Sequence, residues 1–340
     1  MDQILTFFNE NIIGILAMFA IGVFFIVKGG DLFVDAASWL AEVSGIPKFI
    51  IGATVVSFAT TLPELLTSVF ATLEGELEIG IGNAVGSVTA NIGLIMGISL
   101  LCMPSDIKRR QFAPQALMMV LAAAILCIAA PTGSVGILVS VILLIIFAVF
   151  MTRNITSAIA DRHEATVELA DSKPTGKVVA VNIAKFVIGA AGIVLGADML
   201  VDYGTLIAEI SGIPENIIAI TLVAIGTSLP ELVTTITAIV KKQASLSVGN
   251  IIGANIFDLT LILPICSFVS GGKLVVAQPQ YAAAWPEVFS AGLDFPVCLA
   301  VGLITIVPPI ITKRFYRWQG VLLILVYIAY IVSTCLLQGM

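Results

Sequence analysis

Two short segments place a carboxylate where a lipid bilayer's interior would be: SFATTLPELLTS at 57–68 carries Glu64, and AIGTSLPELVTT at 224–235 carries Glu231. Each acid sits near the middle of an apolar run, where it costs at least about 2.5–3.5 kcal/mol unless paired or neutralised. Neither segment contains a Lys or Arg, so the remaining partner is a bound cation or a proton. Protonated glutamates bonded between helices are the structural alternative. Thr60 precedes Glu64 by four residues and Thr227 precedes Glu231 by four, which puts hydroxyl and carboxylate on one helix face. Pro63 and Pro230 are expected in mid-helix, where proline removes a backbone donor and frees carbonyls near Ala59 and Gly226. Such carbonyls are tolerated inside a membrane where they line a cavity, and they suit hard cations.

A second pair of segments supplies the complement, GNAVGSVTANIGL at 82–94 and GNIIGANIFDLTL at 249–261. Gly82 with Gly86, and Gly249 with Gly253, make faces for close helix approach, which by itself means only packing. One turn on, Ser87 and Asn91 share a face. Their counterparts are Ala254 and Asp258, so Asp258 is a third carboxylate inside an apolar run. Carboxylates, an amide, hydroxyls and carbonyls, with no His or Cys among them, form an all-oxygen set suited to calcium, which takes about 6–8 such ligands, or to sodium. Magnesium tends to keep its waters and fits less well. Two ions competing for the same oxygens is a physical basis for antiport.

The elements that must position these groups follow from composition. Of 340 residues 59% are hydrophobic and 11% charged, with a mean hydropathy of +1.10, which indicates an integral membrane protein. Apolar runs between polar breaks give ten spans, near 11–43, 47–73, 79–103, 111–130, 133–152, 177–208, 214–241, 245–270, 294–312 and 317–337. The first and sixth exceed one crossing, and tilt or projection accommodates them. The N-terminal run has no basic leader or cleavage site and reads as a retained span. The single histidine, His163, reads as a loop residue. Cys102, Cys127, Cys266, Cys298 and Cys335 have no metal or redox spacing and read as small hydrophobes. The net charge of −6 and short basic runs give no sign of nucleic-acid binding. Neither a GxSG-plus-His arrangement nor a GxGD motif is present, so an intramembrane protease is excluded and no enzyme is expected.

Lys48, the Lys108, Arg109, Arg110 cluster, Arg153, Arg162, Lys173, Lys177, Lys241, Lys242, Lys313, Arg314 and Arg317 fall on one side of this ten-span arrangement, with Lys273 on the other. By the positive-inside rule the basic side is cytoplasmic, both termini are extracytoplasmic, and the Glu74, Glu76, Glu78 turn is outside. A plasma or inner membrane is the expected location. Phe315, Tyr316 and Trp318 are expected as an interfacial anchor.

Shifting the chain by 167 positions aligns 29–98 with 196–265, and about 27 of the 70 pairs are identical. SGIP at 44–47 falls on SGIP at 211–214, and TLPEL at 61–65 on SLPEL at 228–232. Five spans per half is an odd number, so the second copy enters the membrane upside down. The expected fold is therefore an all-α membrane protein of ten transmembrane helices arranged as two inverted five-helix repeats: 1–152, a cytoplasmic linker at 153–176, and 177–340. The linker is too short for a folded regulatory domain and lacks EF-hand spacing. Asp31 with Asp35 recurs as Asp198 with Asp202, near the polar ends of the long spans, as helix-end residues or an ion vestibule.

These paired segments resemble those of the cation/calcium exchanger superfamily and, within it, the sodium/calcium exchangers, whose two alpha repeats look like 52–98 and 219–265 here. The resemblance implies a calcium site made by Thr60, Glu64, Thr227 and Glu231 with carbonyls near Ser57 and Ala224. It also implies sodium ligation by Thr61, Ser87, Ser228, Asp258 and Asn91, and sliding of the first and sixth helices against the other eight. The implied activity is alternating-access exchange of sodium for calcium, normally extruding calcium. Departures from the pattern are Ala59, Thr61, Val88 and Ala254, the last removing one hydroxyl. Asp258 leaves potassium cotransport open. Gly86 and Gly253 stand where a proton/calcium antiporter is expected to carry glutamate. A cation channel uses similar oxygen chemistry without needing a counter-ion.

Overall fold

In the computed structural model, residues 11–165, 175–211, 226–272, 274–275 and 290–338 are described. Ten helices run through them, labelled α1 (Ile12–Ser44), α2 in two segments, α2a (Lys48–Thr60) and α2b (Leu62–Glu74), α3 (Leu77–Ala90 continuing to Cys102), α4 (Arg109–Ala129), α5 (Ile137–Ala165), α6 (Gly176–Ile210), α7 (Leu229–Val240), α8 (Ala244–Phe257 continuing to Val269), α9 (Phe295–Thr312) and α10 (Arg317–Gln338). Eight of these are long and apolar enough to cross a membrane, and nine with the α2 pair, which bends by 44° between its segments. The expected span 214–241 is described only as the shorter apolar helix α7, because 212–225 lie outside the described residues. α5 begins at Ile137 rather than 133, since Gly133 is left-handed (φ 80°) and Ser134–Val135 pairs antiparallel with Leu274–Val275. It then runs through 153–165, where the linker was expected to start.

The inverted repeat is visible in how α1 meets α6. A Cβ added to Gly22 would approach the carbonyl of Gly196 at 3.2 Å, and one added to Gly29 would approach that of Gly189 at 2.8 Å. Gly22 and Gly29 map onto Gly189 and Gly196 by the 167-residue shift, so the same contact occurs twice, once from each side. Residue numbers rise on one helix as they fall on the other, making equivalent helices antiparallel across a pseudo-twofold axis. Small residues permit this backbone approach, which is the attraction available to helices in lipid.

α3 and α8 form the centre, with 72% and 83% of their apolar windows buried against 28% for α1 and 11% for α6. Gly249 and Gly253 of α8 lie directly against the backbone of α2a, at Phe49 and Ala53. Helix ends meet on one side: Lys48 Nζ bonds Gln243 at 2.9 Å, the amide of Ile107 bonds the Lys313 carbonyl, and Gln111 reaches Asp161. We call this end the basic face. Phe315 departs from the expected anchor role. It is fully buried against Phe112, ring centroids 5.3 Å apart, while Trp318 stays half exposed and stacks on Tyr316. Two lysines missing from the sidedness pattern sit within helices, Lys28 exposed on α1 and Lys185 half-buried on α6. Their long alkyl stems let the ammonium reach an interface.

Overpacking a close crossing costs about 1–3 kcal/mol. Gly29→Val is therefore expected to lower the melting temperature in detergent, whereas Phe24→Ala, on the exposed side of α1, is expected to leave it nearly unchanged. Equal melting temperatures for Gly29→Val and the unmodified protein would contradict the crossing.

Candidate functional site

Proline does not occupy mid-helix as expected. Helix α2a ends at Thr61 (φ −85°, ψ 0°), and Pro63 sits in the first turn of α2b. Ser228 (φ −88°, ψ 3°) and Pro230 repeat this at the start of α7. A first-turn proline loses nothing, because its N–H would have no intrahelical acceptor. Pro63 still has no N–H to offer the Ala59 carbonyl. Each glutamate is thus the third residue of a new helix, near the positive end of its dipole, which favours a negative charge.

A second backbone device lies in α3 and α8. Both helices widen into a π-turn at equivalent places, Asn91–Met96 and Asp258–Ile262, so each widening begins at a candidate ligand. A further π-turn at Gly52–Val56 leads into Ser57. Single π-turns within α-helices are frequent at functional sites because they re-aim side chains. The two π-segments pack crosswise: Asn91–Met96 lies against α7, which bears Glu231, and Asp258–Ile262 lies against α2b, which bears Glu64.

Glu64, Glu231 and Asp258 are all buried, at 1%, 0% and 0% exposure. They lie near enough to interact electrostatically, Glu64 with both of the others and Asp258 with Glu231. None of the ion pairs among the described residues involves them. Both oxygens of Glu64, both of Asp258 and Oε2 of Glu231 have no hydrogen-bond partner among the described residues, and the same holds for Ser87 Oγ, Ser228 Oγ and the Asn91 amide. Buried polar atoms left unbonded cost about 1–3 kcal/mol each, more for a charge. Their concentration around three buried carboxylates makes this the candidate cation site. Among the described residues, no three His, Cys, Asp or Glu side chains converge into a metal cluster. A cation must therefore draw on hydroxyl, amide and carbonyl oxygens as well.

The remaining expected residues are placed as follows. Thr61 Oγ1 lies 3.5 Å from Glu231 Oε1, reaching across the pseudo-twofold axis. Thr60 Oγ1 lies 3.3 Å from the Ser57 carbonyl and 3.4 Å from Asn250 Oδ1. The Ser57 carbonyl also accepts the Thr61 N–H at 2.9 Å, so a cation there would compete with the Thr60 hydroxyl. Ser57 Oγ is spent on the Gly52 carbonyl at 2.6 Å, with Asn250 O at 3.3 Å. Thr227 is half-buried and lines a cleft of about 300 Å³ with Pro63, Thr67, Asp198, Asp202 and Pro230. That places the second aspartate pair in the same cleft as Thr227. Ala224 lies outside the described residues.

Sequence reasoning missed the amides that brace the acids. Asn83 Nδ2 donates to Ser68 Oγ at 2.9 Å and to the Glu64 carbonyl at 3.2 Å. Asn250 Nδ2 donates to Thr234 Oγ1 at 3.0 Å, and that hydroxyl donates to the Glu231 carbonyl at 3.0 Å. Thus in each half one asparagine ties its helix to the Glu-bearing helix. The signal was the GN pair recurring at 82–83 and 249–250. Asn255 is a further omission, fully buried with both amide atoms unbonded among the described residues.

The sequence profile described as "Sodium/calcium exchanger protein" matches residues 14–156 and 181–336. Inner membrane protein YrbG of Escherichia coli is 35% identical over 266 residues, 76% of this chain and 81% of the relative. Sodium/calcium exchanger MaX1 of Methanosarcina acetivorans is 31% identical over 347 residues, 92% of this chain and 96% of the relative. Among solved structures, the sodium–calcium exchanger NCX_Mj soaked with 2.5 mM Na+ and 10 mM Sr2+ superposes with a TM-score of 0.78 at 28% identity, covering 95% of this chain and 99% of that one.

Losing a buried hydrogen bond to a neutral partner costs about 0.5–1.5 kcal/mol. Asn250→Ala, which unties Thr234 and Thr60, is expected to fold and to shrink the rise in melting temperature that added calcium produces. A full calcium-induced rise in that variant would show that the amide does not brace the site.

Proposed function

The chain belongs to the sodium/calcium exchanger family, and on that premise we propose that it exchanges sodium for calcium across the membrane through one site shared by both ions. Supporting this above all is the meeting of two symmetry-related glutamates, buried, near each other and unmatched by any Lys or Arg among the described residues. Glu64 and Glu231 together balance one calcium ion. Thr60, Thr227 and the backbone carbonyls near Ser57 and Ala224 add neutral oxygens, which a cation of about 6–8 ligands requires. Asp258, with Thr61, Ser87, Asn91 and Ser228, provides for sodium ions once calcium leaves. Loading either ion cancels the charge that makes the bare carboxylates costly to enclose. An occupied site can then close while a bare one resists closure, and this coupling makes the transporter an antiporter rather than a leak.

The basic face is the cytoplasmic one in this proposal, with both termini extracytoplasmic, because Lys and Arg accumulate on short cytoplasmic loops. A bacterial relative carrying the name inner membrane protein accords with a location in that membrane. Calcium extrusion is the working direction, driven by inward sodium.

Liposomes holding the purified protein, loaded with sodium and diluted into sodium-free buffer containing radioactive calcium, are expected to take up calcium. Choline-loaded vesicles are expected to take up none. Glu231→Gln and Glu64→Gln should each cut the sodium-driven uptake at least a hundredfold, since each leaves one buried charge in place of a matched pair. Uptake independent of the internal ion would replace exchange with a channel. Uptake only into acid-loaded vesicles would replace sodium with protons, and an added need for external potassium would make potassium a third transported ion.

A further inference from the structure

Across the pseudo-twofold axis, the structure is not symmetric in what it closes. At the basic face α1 lies on α7: a Cβ added to Gly30 would meet Thr237 Oγ1 at 2.7 Å and Val233 Cγ1 at 3.0 Å. By the 167-residue shift the equivalent contact is α6 at Ala197 against α2b at Leu66 and Phe70. There the helices stand apart, Leu66 and Phe70 are exposed, and Ala197 borders the 300 Å³ cleft. One of the two equivalent helix contacts is shut and the other parted.

Charge differs between the ends in the same sense. Lys241, just beyond α7, bonds Asp35 Oδ1 at 2.7 Å and the Asp31 backbone carbonyl at 3.1 Å, and lies 3.3 Å from Asp31 Oδ1. Beside it, Lys48 joins Glu42 and Gln243, each at 2.9 Å. Under the shift Asp31 and Asp35 remain aspartates, as Asp198 and Asp202, and Glu42 remains a glutamate, Glu209. Every partner changes sign or gains a negative charge: Lys241 becomes Glu74, Lys48 becomes Glu215, and Gln243 becomes Glu76. The basic face has cations to clasp its aspartates. The opposite face has the aspartates and no cation at the equivalent positions.

We propose that Lys241 is a positioning residue for exchange: its clasp on Asp31 and Asp35 holds α1 against α7, keeping that contact closed at the basic face while the equivalent α6–α2b contact stays open at the cleft. α1 and α6 pack tightly as a pair, so opening the α1–α7 contact and closing the α6–α2b contact are two sides of one motion. Breaking the clasp is a step in that motion. Closing the cleft brings Glu74 toward Asp198 and Asp202, which like charges oppose. The resting equilibrium is thereby tilted toward the cleft-open state. This inference rests on the exchange reading for its transport consequence, but not for the conformational one.

The test uses Thr67→Cys, at the cleft, in protein whose five native cysteines are replaced, reconstituted and labelled by a membrane-impermeant maleimide with equal calcium on both sides, so that an occupied site is free to close. Lys241→Met is expected to slow labelling at least about threefold, because fewer molecules are cleft-open. It should also lower the half-saturating calcium at the basic face by a similar factor. Lys241→Arg, keeping the charge, should restore both values. Should Lys241→Met fail to fold, the Asp31→Asn, Asp35→Asn double variant removes the clasp from its other side and carries the same expectation. Unchanged labelling in a folded variant overturns the proposal. The labelling arm reads conformation and not ion flux, so slowed labelling in a protein that exchanges nothing would uphold the clasp and reject the exchange reading separately.

Discussion

The structure is arranged around three buried carboxylates that no basic side chain among the described residues neutralises. A single buried acid of this kind would be expelled to an interface or protonated. Here each glutamate opens a new helix, where the dipole and the first-turn proline accept it, and an asparagine from the neighbouring helix pins that turn through a hydroxyl or a carbonyl. The backbone thus tolerates the charge without cancelling it. What cancels it must come from outside the protein, and in the exchange we propose that requirement underlies the choice of ions and the coupling between them.

How the acids are brought together depends on close packing that only small residues allow. Gly249 and Gly253 let α8 lie on the backbone of α2a, which brings Ser57, Thr60 and Asn250 within reach of one another. The π-turns at Asn91 and Asp258 then re-aim α3 and α8 where each meets the Glu-bearing helix of the other half. Neither device creates affinity. Both fix where the oxygens point, and a hard cation demands this of its ligands.

The periodic and repeated features were legible in the sequence. Apolar runs gave most of the described helices to within a few residues, although α5 runs on to Ala165 and the span 214–241 is described only at Leu229–Val240, and the 167-residue repeat anticipated the antiparallel meeting of α1 and α6. Glu64, Glu231 and Asp258 stood out because charge in such runs has few bland explanations. Less legible were features set by tertiary context. TLPEL read as a kinked helix, yet the chain breaks at Thr61 and Ser228 and restarts, a difference that depends on φ and ψ at one residue. The π-turns leave no mark in composition. Asn83 and Asn250 were visible as a repeated pair, but their role as braces depends on Ser68 and Thr234 lying opposite, which spacing along one helix cannot reveal. Phe315 looked like an anchor because its neighbours are basic, while packing against Phe112 drew it inside.

Duplication explains how one site faces two solutions, and divergence explains why the two directions differ. A perfectly symmetric pair of repeats would make the two open states equal in energy, and the ion gradients alone would set the direction. This chain keeps the symmetry at the proposed ion site, in Glu64 with Glu231 and Thr60 with Thr227, and breaks it at the helix ends. There the aspartates of α1 and α6 are retained while the residues equivalent in sequence to Lys241 and Lys48 become Glu74 and Glu215. It breaks it once within the site too, in Asn91 against Asp258, giving the second half one more negative charge to be matched. Differences at the ends act on which state is populated, whereas a difference within the site acts on which ions fill it. The two kinds of change can therefore diverge independently, and a repeat protein can alter its preferred resting face without disturbing the oxygens that choose its substrate.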